Sequence, residues 1–332
     1  MKFICRKLAY PSYTDAIILF ICFTFWGLFS FLAIDLYQED EVGHYLIAKY
    51  SWQHPLLFLD IWGRPLVTLL FSIPAQVSLG LTRFLSSLIS LIVVYLTVYL
   101  AQIVLKKNEV KFVITFLIFQ PFYFLLSFGI LTELIFSLVF ILWLIFVYKK
   151  RYTLATLFIA LTPLARPEGF FFIILWAFII LFNSNLLVRV RIFLIVMSGI
   201  VVILWNIAGF LVSSDLLWLL HSFPWGGQQT YYGSGSPFYY ILLLPIITGI
   251  GTFPFFVYGL FHMIRSNKFL LPGIFFFFLS LHTVLWTFGL FSSAGFLRYF
   301  VSISPVIAII GVVGYKGIID IINSKAENAT LC

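Results

Sequence analysis

The chain has 332 residues, 62% of them hydrophobic and only 10% charged, with 41 phenylalanines and a mean hydropathy of +1.10. No water-soluble domain of this size has room to bury that much apolar surface, so the composition describes an all-α polytopic membrane protein. The formal net charge of +8 does not point to nucleic acid, because the basic residues are scattered in short clusters between apolar runs, the pattern that membrane orientation produces.

Lys2, Arg6 and Lys7 precede an apolar run from about 16 to 34, too long for a signal-peptide core and without a small-residue cleavage site. It reads as an uncleaved first transmembrane helix. Cys5, Cys22 and Cys332 lie on the N-terminal tail, in that first span and at the last residue, which excludes a disulfide framework; Cys332 is not followed by the residues of a prenylation signal. Next comes a loop from about 36 to 82, with Asp40-Glu41, His44, Trp52, His54 and Trp62-Gly63-Arg64-Pro65. It is aromatic and mildly amphipathic, as juxtamembrane helices are, and its aromatic residues serve as interface anchors.

Apolar segments of about spanning length follow at 83–105, 112–129, 132–148, 152–165, 168–183, 190–212, 238–263, 269–291 and 299–319. A further one, 65–80, carries Ser72, Pro74, Gln76, Ser78 and Gly80 and fits either a short span or an interfacial or re-entrant helix. Charge bias separates the two. If the segment does not cross, fifteen of the twenty basic residues fall in the cytoplasm, leaving Lys49, Arg64, Arg83, Arg166 and Arg298 outside. If it crosses, the bias reverses. The positive-inside rule therefore predicts about ten transmembrane helices, both termini cytoplasmic, and a single transmembrane domain with outer loops at 36–82 and 213–237 and no separate soluble domain. The same topology carries Asp35, Glu39, Asp40, Glu41, Asp60, Glu133, Glu168 and Asp215 to the outer face. Acids contribute little to orientation, so their gathering there points to an extracytoplasmic site.

Three further outer features bear on that site. Glu133, in Leu131-Thr132-Glu133, stands at an outward turn, where it fits either an acid in the first turn of a helix capped by Thr132 or a second acid facing the site. Arg166-Pro167-Glu168 lies between short spans; Pro167 and Glu168 suit a helix start, while Arg166 calls for an anion or carboxylate there, a planar guanidinium being the preferred phosphate fork. The loop from 213 to 237 contains His221 and a run of Trp, Tyr, Gln and Gly that suits a flexible connector or a surface for a sugar or headgroup. Beyond it, Arg298-Tyr299 opens a late span. An arginine near the positive end of a helix dipole costs a few tenths to about 1 kcal/mol, so it needs an offsetting partner, and a phosphate would serve.

Taken together, a first span, an outer loop opening with Asp40-Glu41, juxtamembrane helices and many further spans resemble the GT-C superfamily of integral membrane glycosyltransferases, which includes protein O-mannosyltransferases, lipid A aminoarabinose transferases and oligosaccharyltransferase catalytic subunits. The resemblance implies a GT-C-like fold, a polyprenyl-phosphate-linked sugar donor, and a lipid, glycan or protein acceptor. It makes Asp40 the catalytic base with Glu41 beside it, and Glu133 a second acid. Arg298-Tyr299 also matches the family's pattern, and His44, Arg64, Arg166, Glu168 and His221, outer-face residues suited to a phosphate or sugar, join them and Glu133 as substrate-binding candidates. Relatives differ in whether they bind a divalent cation, Mg or Mn. Two features depart from the family pattern: Arg64-Pro65 stands where many members carry His-Pro-Pro, and no large soluble domain follows the last span. A lipid-linked oligosaccharide flippase or transporter would instead show charges in mid-span and inverted repeats, and an O-antigen polymerase or ligase would show arginines in a large late loop; none of these is seen. The sequon Asn328-Ala329-Thr330 falls on the side expected to be cytoplasmic.

Overall fold

The computed structural model describes residues 13–33, 39–105, 110, 112–223 and 232–330, and over them the chain is helical throughout, with no strand. The N-terminal cluster Lys2, Arg6 and Lys7, the residues Cys5, Asp35, Lys106, Lys107, Lys111 and Cys332, and positions 224–231 of the late loop lie outside the described residues, as do the side chains of Glu39 and 325–330.

The first span is α1, Tyr13–Leu32, and the loop after it folds into α2, Glu39–Tyr50, a 3-10 turn at Pro55–Leu59, and α3, Pro65–Val77. The ambiguous 65–80 segment is thus thirteen residues of helix, about 20 Å long, well short of a hydrocarbon core of about 30 Å. A break at Ser78 separates it from α4, Leu79–Val104, whose first turn Ser78 caps by accepting from Leu81 N at 3.1 Å. Small residues Ser86, Ser87, Ser90 and Thr97 are buried along α4, where they let neighbouring backbones approach, and Ser30 of α1 meets Ser87 at 3.3 Å.

The 112–129 segment is two short helices, α5 (Val113–Ile118) and α6 (Pro121–Leu126), because Pro121 cannot continue a hydrogen-bonded ladder. Gln120 at the break donates to Phe116 O at 3.2 Å and to Ser304 O at 3.0 Å, restoring polar contacts there. Then come α7, Thr132–Tyr148, α8, Tyr152–Leu161, α9, Glu168–Leu181, and α10, Val188–Ser213, within one residue or two of the predicted runs except where α8 tightens into a 3-10 turn at Thr162–Leu164. A one-turn helix α11, Trp218–His221, follows. The 238–263 run is α12 (Tyr239–Leu242), α13 (Leu244–Thr248) and α14 (Phe253–Arg265), with Gly249 at φ 89° packed so closely on Phe119 O that a Cβ would lie 2.4 Å from it. The two broken segments therefore meet at their breaks. The last span is preceded by α15, Leu270–Thr287, and consists of a 3-10 stretch at Leu297–Ile303 running into α16, Ser304–Thr330.

Five helices, of 18 to 28 residues, are long and apolar enough to cross a membrane, and shorter apolar helices accompany them. The protein is an integral membrane protein. Its most buried long helix is α7, against α4, α8 and the 297–303 stretch, while α14 and α16 lie backbone to backbone: a Cβ at Gly314 would sit 1.8 Å from Phe255 O and one at Gly259 2.0 Å from Ile310 O. The starts of α2, α3, α7, α9 and the 297–303 stretch gather around one cavity.

Candidate active site

Charge in an apolar chain can be buried only in pairs, and at this end of the bundle the pairs are linked into a chain. Arg166 is its hub. The tight turn from α8 to α9 carries it inward, and Gly169 permits that turn, since a Cβ there would lie 2.3 Å from Pro163 N. Arg166 grips Glu168 with Nη2 at 2.8 Å and Nε at 3.1 Å, and its Nη1 reaches Glu133 at 2.8 Å and the Thr132 hydroxyl at 2.7 Å. Burial works against its charge, but Glu133 and Glu168 more than offset this and raise its pKa above the usual arginine value. Tyr299 lies with its ring centroid 4.9 Å from this guanidinium and stacks on His282, whose Nε2 is 3.4 Å from Glu168. Glu133 passes the chain on to Arg298 Nε at 3.3 Å, and Arg298 Nη2 donates to Asp40 Oδ2. Thr132 is therefore not the helix cap that its position suggested; Leu131 stands there and the hydroxyl is spent on Arg166.

These groups line a cavity of about 570 Å³, together with His44, Trp62, Arg64 and an apolar wall that includes Phe170, Phe171, Leu220 and Phe291. Glu133 and Glu168 are sealed, with side chains 2% and 5% exposed, whereas Asp40 is 36% exposed. Asp40 is the carboxylate of this chain of pairs that meets the cavity's contents. His44, one turn further along α2, stacks on Trp62 with ring centroids 4.4 Å apart and planes 9° from parallel. Burial lowers its pKa to about 3: Asp40 pulls the other way, but Arg64, Arg298 and Arg166 add to the lowering, so the ring is neutral. Gly43 is required for this packing, because a Cβ there would lie 2.3 Å from the Trp62 ring.

Arg64 enters the cavity from a strained backbone. Its φ of 63° and ψ of 116° suit no side-chain-bearing residue well, least of all one before proline. Asp60 holds the turn: its side chain accepts from Gly63 N and its carbonyl from Arg64 N at 3.1 Å, and Thr68 Oγ1 donates to Gly63 O at 3.2 Å. The guanidinium is 4% exposed, and burial pulls its pKa down to about 9; attraction from Glu168 and Asp60 does not offset burial and the repulsion of Arg166.

No family model matches the chain, and no curated protein matches it in sequence. Among solved structures it is similar to crystal structures of ArnT from Cupriavidus metallidurans, one bound to undecaprenyl phosphate (TM-score 0.68, 12% identity, 91% of this chain and 60% of that one) and one in the apo state (0.67, 13%, 91% and 59%). The chain shares the fold of those structures. It spans about 60% of the length of those structures.

Within this fold the residues singled out in the sequence divide. Asp40, His44, Arg64, Glu133, Arg166, Glu168, Arg298 and Tyr299 come together at the cavity, although they span more than 250 positions of the chain. Glu41 does not. Consecutive helical residues point about 100° apart, and where Asp40 faces the cavity Glu41 faces the protein interior, fully buried. It binds Arg83 Nε at 2.8 Å and Nη2 at 3.0 Å and accepts from Ile130 N at 3.2 Å, while Arg83 Nη1 donates to Ala33 O at 2.6 Å. Glu41 joins the end of α1, α2, α4 and the turn before α7 and is not among the residues that line the cavity. His221 also lies apart from these residues: its side chain is 60% exposed on α11, held by Asp215 at 2.8 Å, and does not line the cavity. Arg298 finds its offsetting partners in Asp40 and Glu133. Among the cavity residues passed over in the sequence are Trp62, as a function-bearing aromatic, and His282. The second had a signal, an ionisable side chain two-thirds of the way along an apolar span.

Proposed function

We propose that the protein moves a sugar from a polyprenyl-phosphate donor to an acceptor at the extracytoplasmic face of the membrane, with inversion and with Asp40 as base. The observation that carries this is a half-open carboxylate facing a cavity with an arginine-rich polar end and an apolar wall, inside the GT-C fold. An amphipathic donor fits such a cavity with its phosphate at the polar end and its isoprenoid along the wall. The neighbouring ArnT structure, bound to undecaprenyl phosphate, supports the same class of lipid partner.

In the reaction the acceptor oxygen attacks the anomeric carbon as its proton passes to Asp40, and the anomeric carbon–oxygen bond breaks with its electrons leaving on the polyprenyl phosphate. Guanidiniums stabilise that departing charge. Arg64 is the strongest candidate beside the phosphate, because an anion placed there restores what burial takes from its charged form. Arg166 is committed to Glu133, Glu168 and Thr132 and serves to hold the acids in place. The carboxylates that a Mg or Mn ion would use are engaged by guanidiniums, and among the described residues no group of three His, Cys, Asp or Glu is disposed to hold a metal, so no step is routed through one. A thirteen-residue α3 with Leu69, Ile73 and Val77 exposed along one side supports the interfacial placement of 65–80 and, with it, cytoplasmic termini.

The test is Asp40→Asn in proteoliposomes supplied with undecaprenyl-phosphate-linked sugars and candidate lipid, glycan and protein acceptors. Loss of the general base should lower transfer by about 100-fold or more with the folded protein retained. Full transfer by the variant would overturn the assignment.

A further inference from the structure

Among the described residues, three carboxylates, of Asp40, Glu133 and Glu168, line the cavity beside three guanidiniums, of Arg64, Arg166 and Arg298. A phosphate-bearing donor brings a further negative charge into a site whose carboxylates already compete for its cations. Beyond Arg64, a second guanidinium can take that phosphate only where a carboxylate gives way. Glu168 holds Arg166 with both oxygens and lies against His282, and Glu133 sits between Arg166 and Arg298; with side chains 5% and 2% exposed, releasing either would strand a buried charge. Asp40 is different. It meets Arg298 through Oδ2 and is 36% exposed, so its carboxylate can turn into the cavity and be rehydrated there.

We infer that Asp40 occupies the place of the donor phosphate on Arg298, so that arrival of the donor displaces it and releases the carboxylate toward the acceptor. This deepens the glycosyl-transfer reading above and rests on it. Arg298 has two successive ligands, the base before the donor binds and the phosphate after. The acceptor hydroxyl then meets a released base only when a donor is in place, which makes binding ordered.

The exchange can be measured without turnover. Full-length protein in lipid nanodiscs is titrated with undecaprenyl phosphate, comparing wild type, Asp40→Asn, Arg298→Gln and the double variant. Removing the competitor should tighten binding in Asp40→Asn by roughly ten-fold, and the gain should vanish in the Arg298→Gln background, which by itself binds more weakly. An equal gain in both backgrounds would mean that Asp40 acts as a general negative charge, and no gain in either would mean that it does not compete; both results overturn the exchange while leaving the donor class standing. Absence of undecaprenyl phosphate binding in the wild type would instead remove the glycosyl-transfer reading itself. A structure of the wild type with undecaprenyl phosphate bound decides the same question without variants: Asp40 still on Arg298 would overturn the exchange.

Discussion

Asp40 and Glu41 are adjacent in sequence, both are carboxylates at the start of α2, and both sit on an arginine far away in the chain, yet they belong to different parts of the machine. Glu41 and Arg83 are 0% and 2% exposed, with main-chain groups of two further segments drawn into the same contact. Asp40 and Arg298 are 36% and 6% exposed at the rim of a cavity. The chemistry of the two pairs is alike, and solvent access separates them. A sealed ion pair cannot be opened without leaving a bare charge in the interior, so it serves as structure; a pair with one wet partner can be exchanged, so it can serve a reaction.

Stability measurements test that division most strongly. Arg83→Ala removes the cation from the buried Glu41 and should cost about 3 to 5 kcal/mol, enough to lower the melting temperature markedly or abolish expression in the membrane. Asp40→Asn should cost about 1 kcal/mol or less by the same assay, since Arg298 keeps Glu133 at 3.3 Å. Equal losses in the two variants would erase the distinction between clamp and exchangeable pair.

Arg64 extends the comparison to a residue that should cost stability for the sake of binding. A glycine adopts φ near 63° without strain, and a backbone held in such a region stores about 1 to 3 kcal/mol. Arg64→Gly also removes a buried guanidinium. Its melting temperature is therefore expected to rise while its affinity for undecaprenyl phosphate falls, the pattern of a residue kept for function. A variant less stable than wild type would place Arg64 with Glu41 among the structural residues.

How far the sequence carried follows from the same physics. In a chain this apolar, charges are confined to the ends of spans, so Asp40, Glu133, Arg166 and Arg298 could be placed together from position alone, and α7, α9 and α10 could be bounded closely. Partnership was not readable. Whether Asp40 or Glu41 faces the cavity depends on a rotation of about 100° around α2, which no periodicity fixes in a twelve-residue helix, and Arg83 became the partner of Glu41 only through the packing of α2 on α3 and of α3 on α4. The broken segments at 112–129 and 238–263 were read as single runs because their apolar content is continuous; Pro121, Pro245 and Gly249 were the signals against it.

His44 offers the finest test, because it lines the cavity as Asp40 does but is buried, under the Trp62 ring. Its folded pKa of about 3 lies below the ordinary 6.5, so the unfolded chain binds a proton that the folded one refuses. The stability this contributes is complete above pH 6.5 and is lost as the pH falls from there toward about 3, with a slope of at most one proton, about 1.4 kcal/mol per pH unit. His44→Gln carries no titrating ring, so the difference in melting temperature between wild type and variant should shift in the variant's favour across that window and stay constant above it. A difference independent of pH would mean that the ring is protonated in the folded protein, as a solvent-reached group would be, and would move His44 from the sealed side of the comparison to the open side with Asp40.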